Sequence, residues 1–149
     1  MPATPDAFST VLGFDYGARR IGVAVGNALT GTARALEVVA NGAQGPDWAR
    51  VDGLMREWRP QVLLVGLPLT MDGEEQKNSA AARAFATALS NRFELSAQLV
   101  DERLSSVEAA QRFAQRRASG TAKRKQAAAL DAVAAEVIVE QWLRDTGFQ

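Results

Sequence analysis

The sequence predicts an α/β fold: a mixed five-stranded sheet, three antiparallel strands followed by parallel strands, with helices on both faces. Three observations carry this. The first forty residues hold three short apolar runs separated by glycine-containing turns, the pattern of a meander of hairpins. From residue 47 onward, helical periodicity alternates with apolar runs, and strands joined through helices pair in parallel with right-handed crossovers. The length of 149 residues suits one domain, and 47% hydrophobic residues can build a core, which excludes general disorder.

Residues 1–8 read as a flexible tail and 9–149 as a single domain. Val11 to Asp15 is the first strand, Ile21 to Val25 the second and Ala33 to Val39 the third. "NGAQGPD" breaks the pattern. Trp48, Val51, Leu54, Met55 and Trp58 then recur at helical spacing, with Asp47 as N-cap and Pro60 just past the end, so both tryptophans belong to a core-facing stripe. "VLLVGLP" is a continuous apolar run, expected of an interior strand covered on both faces. A helix with Ala82, Phe85 and Leu89 on one side follows, then a strand from Leu95 to Asp101. "SSVE", Ser105 to Glu108, is a capping box that opens another helix; Ser119-Gly120 interrupts it, and a final helix runs from about Lys123 to Leu143.

The composition narrows the chemistry. There is no cysteine, which excludes disulfides, thiol nucleophiles and cysteine zinc sites. There is no histidine, which excludes the serine triad and most transition-metal sites. Carboxylates without either suit hard cations, Mg²⁺ or Mn²⁺. The run Val62 to Leu69 is too short to span a bilayer and "MPATPDAFST" has no leader character, so a cytoplasmic location and no membrane partner are expected. Seventeen basic and seventeen acidic residues cancel, so any nucleic-acid affinity must come from how charge is distributed.

In open α/β sheets, sites form beyond the carboxyl ends of the parallel strands. Asp15 ends strand 1, Gly66-Leu67-Pro68 ends strand 4 and Asp101-Glu102 ends strand 5. Asp15 reads equally as a turn cap or as a rigidly held functional carboxylate. Gly17 behind it allows a tight turn and close approach of a phosphate. Asp131 lies inside "AAALDAVAAEVIVEQW", sharing a packed face with Ala127, Ala134, Ala135 and Ile138. A carboxylate there needs a partner, a metal or an arginine, unless a slight rotation of the helix exposes it. Small alanines around it let the helix approach the sheet closely. Asp15, Glu102 and Asp131 form a candidate catalytic and metal-binding triad, with Asp101 as rival to Glu102 because adjacent strand residues face opposite ways. Two divalent ions about 4 Å apart would serve in-line phosphoryl displacement without histidine.

At "LGFDYGARRIGVAVG", "VGLPLTMDGEE", "DERLSS" and "ALDAVAAEVIVEQWL" the sequence resembles the YqgF/RuvX family of the RNase H-like superfamily, in family order over nearly the whole chain. The resemblance implies an RNase H-like fold and a two-metal-ion nuclease dependent on Mg²⁺ or Mn²⁺. Its implied role is 5′-end maturation of precursor 16S rRNA, with Holliday-junction cleavage as the alternative. It places Asp15, Glu102 and Asp131 as the three acids. Many superfamily nucleases carry the second acid on strand 4, where "VGLPL" has none. The partner is then precursor rRNA or branched DNA, and a homodimer is admissible.

"QRFAQRRASGTAKRKQ" (111–126) contains Arg116, Arg117, Lys123, Arg124 and Lys125 and no acid, just before the helix of Asp131. It reads as a basic arm for phosphates rather than a solvated turn. Arg19 and Arg20, after the Asp-Tyr-Gly turn, are further phosphate candidates or plain surface charges. "GLPLTMDGEE" (66–75), with Gly66 and Pro68, could present backbone N–H groups to a phosphate, although its acids oppose this. A non-catalytic nucleic-acid module on the same fold is the competing class. An actin- or Hsp70-like ATPase would need two such domains.

Overall fold

A computed structural model describes residues 10–68, 78–101, 111 and 127–145. The described elements are β1 (Thr10–Tyr16), β2 (Arg20–Asn27), β3 (Thr32–Ala40), α1 (Trp48–Trp58), β4 (Val62–Leu67), α2 (Ser79–Phe93), β5 (Ala97–Asp101) and α3 (Ala127–Asp145). They form one five-stranded sheet in the order β3-β2-β1-β4-β5. β1–β2 and β2–β3 are antiparallel; β1–β4 and β4–β5 are parallel. The meander and the parallel half are therefore as the apolar runs and glycines predict. β4 is buried at every position, as its unbroken apolar run requires of an interior strand.

Alternation along the strands divides the core in two. Leu12, Phe14, Ile21, Val23, Leu63 and Val65 pack against Val51 and Leu54 of α1 and Ala82, Phe85 and Leu89 of α2. Val11, Ala24, Val62 and Leu64 pack against Ala135, Val139 and Leu143 of α3 on the other face. Phe85 centres the first layer, edge-on to Phe14 at 5.5 Å and beside Tyr16 at 5.0 Å. Trp48 joins it at 5.7 Å and is partly buried there with Trp58, so the tryptophan stripe faces the core.

The helix ends follow local chemistry. Asp47 accepts a hydrogen bond from the Arg50 N–H and caps α1. Arg59, in a left-handed conformation, closes it before Pro60. Glu94 ends α2 in the same way, which delays β5 to Ala97 from the expected Leu95. The helix expected from the Ser105–Glu108 capping box lies outside the described residues, apart from a helical Gln111. α3 is described from Ala127, and residues 123–126, where the final helix is expected to begin, also lie outside.

Candidate active site

The carboxyl ends of the three parallel strands share one rim. The β1–β4 register pairs Phe14 with Val65, which brings Asp15 level with Gly66, and the β4–β5 register pairs Leu67 with Asp101. The expected rim of Asp15, Gly66 to Pro68 and Asp101 is therefore assembled. Facing is decided by parity. Val11 packs against α3 and a Cβ at Gly13 would strike the Val139 side chain, so the alternate residue Asp15 also lies on the α3 face, half-buried. Tyr16 turns the other way, onto Phe85.

Asp131 reaches the same place from the helix side. Asp15 pairs across the ladder with Gly22. A Cβ at Gly22 would fall 1.9 Å from the Asp131 carbonyl oxygen and 2.7 Å from the Ala132 nitrogen. The backbone of α3 thus rests on β2 directly beside Asp15, a closeness that no residue other than glycine permits. The side chain of Asp131 is 28% exposed and accepts a hydrogen bond from Arg20 Nε at 2.7 Å. The arginine partner weighed for Asp131 from the sequence is therefore present, and Arg20 faces this carboxylate from the first position of β2. Arg19 is exposed one residue earlier.

On β5 the parity separates the two rival acids. Ala97 packs into the α1–α2 layer, whereas Val100 packs into the α3 layer and Gln98 accepts a hydrogen bond from Trp142 Nε1 of α3. Asp101 has the parity of Ala97 and is exposed on the face away from Asp15 and Asp131. Glu102 lies outside the described residues, as do Arg116, Arg117, Lys123, Arg124 and Lys125 of the basic segment and residues 69–77 of the glycine loop. The two ends of that loop are tied, because the Ser79 hydroxyl donates to the Pro68 carbonyl. Among the described residues no three acids stand close enough to hold a metal ion.

Two supporting residues escaped the sequence reading. Asn41 donates through Nδ2 to the Gly17 carbonyl at 2.7 Å and through its backbone N–H to the Arg19 carbonyl at 2.9 Å, clamping the turn after Asp15. A Cβ at Gly17 would lie 2.6 Å from the Arg20 carbonyl oxygen, so this turn depends on glycine. Glu136, not Asp131, is the buried acid of α3, at 6% exposure. It accepts from the Ala35 N–H at 3.2 Å where β3 bulges, Leu36 being skipped between the pairs Val23–Glu37 and Ala24–Ala35. The "NG" after β3 is a turn signal that could have drawn attention to Asn41; nothing in the sequence announces the bulge.

The family model for RuvX, described as Holliday junction resolvase, matches residues 9–145. The chain belongs to the RuvX family. A relative from Xanthomonas campestris pv. campestris, named "Putative pre-16S rRNA nuclease", is 58% identical over 139 residues, covering 93% of this chain and 88% of its own. One of the same name from Xanthomonas oryzae pv. oryzae is 58% identical over 134 residues, covering 90% and 86%. Among solved structures, Thermus thermophilus RuvC in complex with a Holliday junction substrate superposes with a TM-score of 0.55 at 20% identity, covering 93% of this chain and 96% of that one. A second structure of that RuvC gives 0.53 at 19%. The fold of this RuvX-family chain is thus RuvC-like, the RNase H-like architecture expected from its motifs.

Proposed function

We propose that this chain is a nuclease that hydrolyses phosphodiester bonds in structured RNA, in the 5′-end maturation of precursor 16S rRNA, in the cytoplasm. The observation that carries the chemistry is the convergence of Asp15 and Asp131 on one face of one rim, over the Gly22 contact. The name carried by relatives at 58% identity supplies the substrate. The site fits a divalent cation: its donors are hard carboxylate oxygens held on a strand end and a helix, and the chain has no histidine or cysteine to favour a softer metal. Asp15 and Asp131 would hold the cation, Mg²⁺ or Mn²⁺. Glu102 is the proposed third acid, because its rival Asp101 has the parity of Ala97 and faces away from Asp15 and Asp131. When bound, the cation supplies Lewis acidity toward the scissile phosphodiester. Arg19, Arg20 and the basic residues Arg116, Arg117, Lys123, Arg124 and Lys125 would meet neighbouring phosphates, and Gly17, Gly66 and Pro68 would let the backbone approach the strand.

The family's description favours a second reading, cleavage of four-way DNA junctions. Such a junction is two-fold symmetric, so that reading calls for a homodimer. The test is cleavage of precursor-rRNA fragments, four-way junctions and plain duplexes with Mg²⁺ or Mn²⁺, beside calorimetric titration with Mn²⁺. Asp15→Asn should fold, lose Mn²⁺ binding and lose cleavage. Equal Mn²⁺ binding by that variant would remove Asp15 from the site, and cleavage of junctions alone would replace RNA with DNA.

A further inference from the structure

We propose that the start of β2 is the mount for Asp131: Gly22 seats its backbone and Arg20 aims its carboxylate, so both act as positioning residues for the cation. This rests on Asp15 and Asp131 being cation ligands.

Gly22 joins the two acids geometrically. It is the cross-strand partner of Asp15, and a Cβ there would lie 1.9 Å from the carbonyl oxygen and 2.2 Å from the carbonyl carbon of Asp131. At Gly13 and Gly26 the obstruction is instead a methyl of Val139, at 2.3 and 2.4 Å, which a smaller side chain would remove. At Gly22 it is helix backbone, and nothing can be trimmed. Any side chain there must lift the first turns of α3 and carry Asp131 away from Asp15.

Arg20 acts on the other end of the same residue. It shares the parity of Gly22, two positions along β2, and so projects toward α3. Its Nε engages only Oδ2 of Asp131. Among the described residues Oδ1 receives no hydrogen bond, so one oxygen is tethered and the other is presented. The side chains are 45% and 28% exposed, and ion pairs that open to water add little stability. The tether's effect is therefore on direction. Carboxylates that bind metals are commonly held by such outer hydrogen bonds, whose loss costs about 10- to 100-fold in metal affinity.

Charge alone makes the opposite forecast. A guanidinium beside a cation site repels the cation, so a mere counterion would weaken metal binding, and removing it would tighten it. Mn²⁺ titration of the full chain, followed by calorimetry at equal folded fraction, separates the two. Arg20→Gln and Arg20→Lys should each bind Mn²⁺ about tenfold more weakly than wild type, because an ammonium cannot reproduce the planar Nε contact. Gly22→Ala should weaken binding at least as much, while Gly26→Ala combined with Val139→Ala, which removes the struck methyl, stays within about twofold. Unchanged or tighter binding by Arg20→Gln, or wild-type binding by Arg20→Lys, overturns the aiming role. Wild-type binding by folded Gly22→Ala overturns the seat. If Gly22→Ala does not fold, the exposed Arg20 variants decide. If wild type takes up no Mn²⁺, the metal reading falls and the mount with it; if wild type and every variant bind alike, only the mount falls.

Discussion

Glu136 is the buried acid of α3, and a backbone contact to β3 accounts for its burial. At 6% exposure it would be costly without partners, and the Ala35 N–H gives it one. That N–H is free to be given because the bulge at Leu36 disturbs the ladder. Glu136→Ala should lower unfolding stability by about 1 kcal/mol, the cost of leaving a part-buried donor unpaired, while Mn²⁺ binding stays intact. Urea unfolding monitored by circular dichroism checks the first and calorimetry the second. A loss of Mn²⁺ binding at full foldedness would mean that Glu136 reaches the cation. Sequence could not rank these two acids, because both lie in the same apolar stretch. Burial and partners separate them, and the bond from Arg20 to Asp131 spans 111 residues of chain.

Between elements, Arg92 of α2 adds a polar link to the apolar packing of α1 on α2. Arg92 donates through Nε and Nη2 to both oxygens of Asp52, each at 2.9 Å, while its guanidinium lies 5.0 Å from the centre of the Trp48 ring. The Arg92 hydrogen bond holds the Asp52 carboxyl below its ordinary value. A carboxyl whose pKa is lower folded than unfolded stabilises the fold above its unfolded pKa, near 3.9, and loses that contribution as pH falls through the folded value. Asp52→Asn should therefore be slightly less stable than wild type at pH 7, and the gap should close in acid, once the pH has fallen through the folded value. Chemical unfolding of both proteins at pH 7 and in acid tests this; a gap that persists in acid would mean that the charge of Asp52 is not its source. Strands and helices were legible in the sequence because each carries its own periodicity. The pairing of Asp15 with Gly22 was not, since register depends on where the β1–β2 turn closes, and Asn41 helps to close it from the far end of β3.

For the molecule as a whole, net charge is zero, so binding of a polyanion must come from separation of charge rather than its sum. Asp15 and Asp131 lie at one rim, and the densest run of bases, 116–125, leads in sequence to the helix that bears Asp131. Changing Lys123, Arg124 and Lys125 together to alanine should weaken nucleic-acid binding and flatten its logarithmic salt dependence by up to about three units, with Mn²⁺ binding unchanged. Binding measured across a salt series checks this; an unaltered slope would direct the path over Arg19 and Arg20 instead. No helix among the described residues is long and apolar enough to cross a membrane. The order of elements and the rim were readable from the apolar runs because a parallel sheet admits few topologies. The facing of each acid needed the registers of the folded sheet.

The bulge in β3 also bears on how such chains can diverge. Leu36 is one residue more than the ladder with β2 needs, and the displaced N–H beside it is what Glu136 satisfies. An evolutionary loss of that residue would straighten the strand and return the Ala35 N–H to the ladder; a loss of the acid would leave the kink without its plug. The length of β3 and the side chain at position 136 are therefore expected to drift together, as a correlated pair joining an insertion to a substitution 100 residues downstream, a link that an alignment scored column by column would treat as two unrelated accidents.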